Sequence, residues 1–127
     1  MRREAHPQPS ICRRLSLLSG GLALTAIAGC HSAFIRTTVT NHTGQPVPLF
    51  EVDYPSASFG GSTLAPDGTF SYRFKVLGTG PVKLSWTDAA QHEHTATGPV
   101  IREGQEGSLT ITIQPHTTLW SAELHPK

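Results

Sequence analysis

Ala65-Pro66-Asp67-Gly68-Thr69-Phe70-Ser71-Tyr72-Arg73-Phe74-Lys75-Val76 sets a turn directly in front of the cleanest two-residue period in the chain. Pro66 presets its φ for the second position of a turn, and Gly68 allows the positive φ that follows. Phe70, Tyr72, Phe74 and Val76 then alternate with Ser71, Arg73, Lys75 and Leu77. That spacing predicts a half-buried strand whose four apolar side chains lead the candidate core. Downstream, Gly78-Thr79-Gly80 reads as a tight return into residues 81–87, where Val82, Leu84 and Trp86 face inward. The two runs are the expected hairpin.

The same punctuation extends in both directions. After a turn at 88–90, residues 91–97 form a polar strand suited to a sheet edge, and Val100-Ile101 lead into a flexible loop at 103–107. Leu109, Ile111 and Ile113 alternate with Thr110, Thr112 and Gln114, Pro115 ends that run, and residues 117–124 supply a last strand with Trp120, Ala122 and Leu124 on one face. Upstream, residues 34–40 place Ile35, Thr37 and Val39 on one side, closed by Gly44 and Pro46. Residues 47–54 follow, with Pro48 marking a strand start or an edge. The segment 55–65 is loose, with a short strand at 61–64. Asn41-His42-Thr43 matches a glycosylation acceptor and is read as a turn. Seven to eight short strands at regular spacing predict an all-β, antiparallel Greek-key sandwich, with a small barrel as the alternative.

Ahead of this domain the composition changes. Residues 1–14 carry Arg2, Arg3, Arg13 and Arg14 against Glu4, and the apolar run at 15–29 is interrupted by Gly20, Gly21 and several hydroxyls. A membrane-spanning helix needs roughly 20 apolar residues, so the run reads as a cleaved signal helix. Ile27-Ala28-Gly29-Cys30 resembles the lipobox of bacterial lipoproteins. The resemblance implies cleavage between Gly29 and Cys30, a diacylglyceryl group on the Cys30 sulfur, and often acylation of the new amine. Each buried methylene contributes about 0.8 kcal/mol, so two or three chains anchor the protein by on the order of tens of kcal/mol. His31 follows the cysteine, where an aspartate tends to retain such proteins at the inner membrane; an outer-membrane address is expected if the cell has two membranes. Arg13-Arg14 matches a twin-arginine signal poorly, because Ser16 stands where that motif has a hydrophobic residue.

The expected division is a signal at 1–29, a lipidated tether at 30–33 and a domain at 34–127. Removing 29 of 127 residues leaves 98, one domain's worth. The ten Lys and Arg lose four and the nine Asp and Glu lose one, leaving six against eight. A net charge near −2 disfavours nucleic acid and anionic lipid as partners. With Cys12 in the leader, the mature chain holds one cysteine and forms no internal disulfide.

A further resemblance lies in the domain itself. Thr43-Gly44-Gln45-Pro46-Val47, a strand, Ser62-Thr63-Leu64-Ala65-Pro66-Asp67-Gly68-Thr69-Phe70, a strand, Gly78 and another strand is similar to prealbumin-like and carboxypeptidase-regulatory-like sandwiches. It covers about half of the mature chain, although Gly80-Pro81 replaces the usual Gly-Tyr. The resemblance implies an Ig-like or prealbumin-like sandwich used for adhesion, spacing or ligand binding, with no catalytic residues and no cofactor.

Among chemical constellations, His92-x-His94 is the sharpest, because residues two apart on a strand share a face and two imidazoles can share a metal. Asp88, His116 or His125 are the candidate further ligands. Phe59-Gly60-Gly61-Ser62-Thr63 is not G-x-S-x-G, so a small hydrolase would need a His brought to a Ser or Asp by the fold. Glu51 and Asp53 lie on one strand, whereas paired catalytic carboxylates face each other across a cleft; they read as surface charge. Tyr54, Phe59, Trp86 and Trp120 are core or rim aromatics that would mark a sugar or protein contact if clustered at one end. The expectation is a lipid-anchored, non-catalytic binding or structural module with an envelope protein or carbohydrate partner; the alternative is a periplasmic metal binder using His92 and His94.

Overall fold

The computed structural model describes residues 31–127. The signal expected at 1–29, including Gly29, and the expected lipidation site Cys30 lie outside the described residues. Eight strands follow one another: β1 (Ile35–Asn41), β2 (Val47–Tyr54), β3 (Ala57–Leu64), β4 (Thr69–Phe74), β5 (Gly80–Thr87), β6 (Glu93–Ile101), β7 (Gln105–Ile113) and β8 (Thr118–Pro126). They form two four-stranded sheets, in the orders β4-β1-β7-β8 and β3-β2-β5-β6. The chain is an all-β sandwich in which β4 returns to lie beside β1, the Greek-key return. One pair departs from the antiparallel expectation: β1 and β7 run parallel, from Ile35 opposite Gly107 to Asn41 opposite Ile113.

The core comes from the inward positions of the four central strands. Ile35 and Val39 of β1, Val47, Phe50 and Val52 of β2, Val82, Leu84 and Trp86 of β5, and Leu109, Ile111 and Ile113 of β7 are all buried. Each period-two reading of these strands holds, because a central strand has neighbours along both edges and a packed sheet over one face. Pro48 opens β2, a central strand, where its missing donor falls at the start of the ladder.

The expected hairpin between residues 69–76 and 81–87 does not form. β4 pairs only with β1, and β5 pairs with β2 and β6, so the link at 75–79 crosses from one sheet to the other. Val76 belongs to that link and is buried, pinning the crossing inside the end of the sandwich. β4 is consequently an edge strand, and its inner face runs off the core: Phe74 is buried, Phe70 is half-buried and Tyr72 is 41% exposed. The loose segment at 55–65 is a full strand, β3, paired with β2 along its length. Its two glycines answer a steric demand, since a Cβ on Gly60 would lie 2.3 Å from the Phe50 carbonyl oxygen. The loop expected at 103–107 is shorter, because β7 begins at Gln105.

In the turn at 65–68, Gly68 N–H donates to Ala65 O at 2.8 Å, but Asp67, not Gly68, takes the positive φ, 63°. Asn41 ties this turn to the one after β1. It is fully buried, its Nδ2 donates to Gln45 O (2.7 Å), Leu64 O (2.9 Å) and Ala65 O (3.1 Å), and its Oδ1 accepts from the Thr43 N–H and hydroxyl. The turn reading of Asn41-His42-Thr43 therefore holds, and the amide that a glycan would need is spent on this latch. Ala33 is buried and Gly107 N–H donates to Phe34 O at 3.2 Å, so ordered packing begins just before β1.

Candidate functional site

The site is built from the distal end of the sandwich, opposite the end where β1 begins. β5 ends at Thr87 and the chain turns through Asp88, with Gln91 N–H donating to Asp88 O at 2.8 Å and Gln91 at φ 69°. Inside that turn Asp88 Oδ1 accepts from the amides of Ala90 (2.8 Å) and His92 (2.9 Å), the usual way an aspartate stabilises a turn. Its other oxygen, Oδ2, accepts from His94 Nε2–H at 2.8 Å. The imidazole contact first, then the His92 amide, hold the Asp88 carboxyl down to about 2.

His94 owes its position to the sheet. It opens the inward face of β6 directly opposite Trp86 on β5, and the two rings stack with centroids 4.2 Å apart and 15° between planes. The indole is thus covered by the imidazole on one side and by core on the other, leaving Trp86 5% exposed. Further along β6, Gly98 and Pro99 stand opposite the single residue Val82, a bulge in an edge strand. A Cβ on Gly98 would fall 2.4 Å from Trp120 Cε3, so the indole of Trp120 lies flat on bare backbone there.

These residues border an open cleft of about 580 Å³ between the edge strands β6 and β8. Trp86, His94 and Trp120 form its inner wall, Thr95 and Thr97 its β6 side, and Pro115 to Thr118 its rim at the β7–β8 turn. The half-buried Trp120 indole, the imidazoles and several hydroxyls are partners for a polyhydroxylated ligand, in which CH faces lie on that indole and hydroxyls find donors and acceptors at the wall, while Trp86 is covered and backs the His94 ring.

The pairing of His92 with His94 on one strand face is not what forms. His92 precedes β6 in the turn, its side chain is 77% exposed, and its Nδ1 lies 3.7 Å from Asp88 Oδ2. Asp88 does join the two histidines, but as a carboxylate whose Oδ2 accepts from His94 Nε2–H at 2.8 Å and lies 3.7 Å from His92 Nδ1. No group of three or more His, Cys, Asp or Glu among the described residues is arranged to hold a metal ion. His116 stands on the cleft rim, whereas His125 lies toward the other end of β8, with Nδ1 3.9 Å from Glu106. Of the two contacts set out for a hydrolase, the fold brings a His to an Asp, His94 Nε2 to Asp88 Oδ2 at 2.8 Å beside the cleft, while no seryl or threonyl hydroxyl among the described residues hydrogen-bonds His94. Glu51 and Asp53 point out from β2, and Glu51 accepts from Ser58 at 2.9 Å. Tyr54 and Phe59 take part in a ring stack at the opposite seam, between β3 and β4. What the sequence reading missed was the grouping of Trp86, His94 and Trp120, which depends on the cross-strand register and on Gly98.

A scan against family models finds no match, and a search of curated proteins finds none. Among solved structures, the chain is similar to an NMR structure of a protein from Eubacterium rectale, with a TM-score of 0.50 and 15% identity, covering 65% of this chain and 77% of that one. At that identity the likeness concerns the fold alone.

Proposed function

We propose that the protein is a lipid-anchored component of the bacterial cell envelope whose domain binds a carbohydrate-type ligand, without catalysis, in the cleft between β6 and β8. The observation that carries the binding half is the grouping of Trp86, His94 and Trp120 on one wall of that cleft. The anchoring half is supported by Ile27-Ala28-Gly29-Cys30 after a basic leader and a short apolar run. The Greek-key order supports the resemblance to prealbumin-like and carboxypeptidase-regulatory-like sandwiches, for which ligand binding is one implied use. Within this reading Asp88 holds His94, whose ring covers Trp86 and lines the wall beside Trp120.

The test is direct binding of the full-length lipidated protein to purified envelope glycans, including peptidoglycan fragments, read by calorimetry. Binding that weakens about tenfold or more in Trp120→Ala, the loss of one stacking contact of about 1.5 kcal/mol, supports the proposal. His116→Ala changes only an exposed rim residue and serves as the variant whose fold is unaffected. Equal binding by the parent and both variants assigns the ligand elsewhere. Intact mass of the native protein decides the anchor: a chain beginning at Cys30 with added acyl mass is expected, and an unmodified thiol removes it.

A further inference from the structure

The outer face of the β4-β1-β7-β8 sheet holds a pairing that strand chemistry disfavours. Arg36 of β1 and Arg73 of β4 stand directly opposite each other, and Thr38 and Ser71 are the next opposed pair on that face. Both arginines are exposed. Like charges directly opposite on neighbouring strands repel each other, and the carboxylates on the same sheet do not relieve the repulsion. Glu123 of β8 is two strands from Arg36, with Ser108 of β7 between them in register. Glu106 precedes Ser108 on β7 and has its Oε2 3.9 Å from His125 Nδ1. Among the described residues no carboxylate lies at ion-pair distance from either guanidinium.

Arrangements that break such a local rule occur at functional sites, where a ligand supplies what the chain lacks. Here the two arginines, Thr38 and Ser71 line one shallow depression of about 270 Å³. The Arg73 guanidinium lies over the Phe34 ring, 4.3 Å from its centroid, a cation–π contact that fixes one side of the depression. Two planar forks approach from two strands, and two hydroxyls stand beside them. That donor set suits a tetrahedral oxyanion, which accepts hydrogen bonds on several sides and carries the charge that two guanidinium groups need.

We propose that Arg36, Arg73, Thr38 and Ser71 form a binding site for an oxyanion of the phosphate class, either the free ion or an ester borne by a sugar. Once bound, the anion turns a repulsive pair into two charge-assisted contacts. The strand order puts β1 and β4 at the edge of their sheet away from β8. The site is therefore separate from the β6–β8 cleft, and it depends neither on the ligand proposed for that cleft nor on the lipid anchor.

Titration of the full chain with sodium phosphate, at an ionic strength held constant with sodium chloride, tests this through the amide and arginine Nε–H resonances. Saturable shifts are expected at residues 36–38 and 71–73, with none at 94–97 or 115–120 along the cleft. Each guanidinium contact is charge-assisted, so Arg36→Gln or Arg73→Gln weakens binding about tenfold or more. Lys83→Gln removes a cation from β5, in the other sheet, and leaves binding unchanged. Urea denaturation separates binding from folding: phosphate raises the parent's midpoint and not that of Arg36→Gln, whose midpoint in chloride equals or exceeds the parent's because the repulsion is gone. A response that does not saturate, shifts spread over the surface, or equal weakening by Lys83→Gln overturns the proposal. Glucose 1-phosphate then assigns the source. Competition at least as strong as that of inorganic phosphate points to an ester, and competition about tenfold weaker points to the free ion; both uphold the site.

Discussion

Between β3 and β4 the two sheets meet through stacked rings, whereas between β6 and β8 they stand apart around the cleft. At the first seam Tyr54 stacks on Phe74 at 4.0 Å, Phe59 on Tyr72 at 4.5 Å, and Phe50 meets Phe70 edge-on at 5.2 Å. Rings from both edge strands fill the gap, so no polar group is needed there. At the second seam the aromatic count falls to two indoles, one of them covered by His94, and the rest of the lining is four threonines and two imidazoles with Ala96 and Pro115. A sandwich held at both seams by rings would have no lateral opening. Here one seam is closed by packed rings, and the other is the open cleft proposed above as the binding site.

The largest test of this contrast is Phe74→Ala. Truncating a buried ring at the closed seam should cost about 3–5 kcal/mol, a large fraction of the 5–15 kcal/mol typical of a small domain. Urea denaturation measures it, and a loss below 1 kcal/mol would show that the rings do not close the seam. Next comes Gly98→Ala at the open seam. The added methyl drives Trp120 off the β6 backbone at a cost of about 1–3 kcal/mol, with a red-shifted tryptophan emission as the indole moves into water; unchanged emission would mean Trp120 does not depend on Gly98.

Tyr72→Ala probes the margin of the closed seam, where the ring is already 41% exposed. About 1 kcal/mol is expected from the lost stack on Phe59, and a loss comparable to that of Phe74→Ala would contradict the burial gradient along β4. The smallest effect is acid-dependent. Asp88 titrates near 2 in the folded chain against an ordinary 3.8, so its contribution is complete above about pH 4 and is lost as pH falls through 2. Asp88→Asn should therefore match the parent's denaturation midpoint increasingly well from pH 5 to pH 2, and a constant difference across that range would assign the destabilisation to packing. The carboxylate is solvated, so added salt reduces the effect.

The central strands were readable from the chain alone because their alternation is uninterrupted: Val82, Leu84 and Trp86, and Leu109, Ile111 and Ile113, are all inward and buried. Pairing was not. A strand's period says which face is apolar, but it carries no record of the sheet to which the strand belongs, and the short link at 75–79 resembles a hairpin loop until Val76 is seen buried within it. Gly60-Gly61 suggested looseness, yet the two residues lie where Phe50 approaches. The candidate site was half legible. His94 stood out beside His92, but stacking on Trp86 requires the β5–β6 register, and the position of Trp120 requires a residue without a side chain in the bulge.

The parallel pairing of β1 with β7 has a temporal consequence. Ile35 meets Gly107, 72 positions further along the chain, so β1 lacks one of its two neighbours until β7 is available. Such long-range closure is slow compared with local hairpin formation. A nascent chain stopped before residue 105 leaves the N–H and C=O groups along one edge of β1 unpaired, and the sheet stays open there until residues 105–113 have been made.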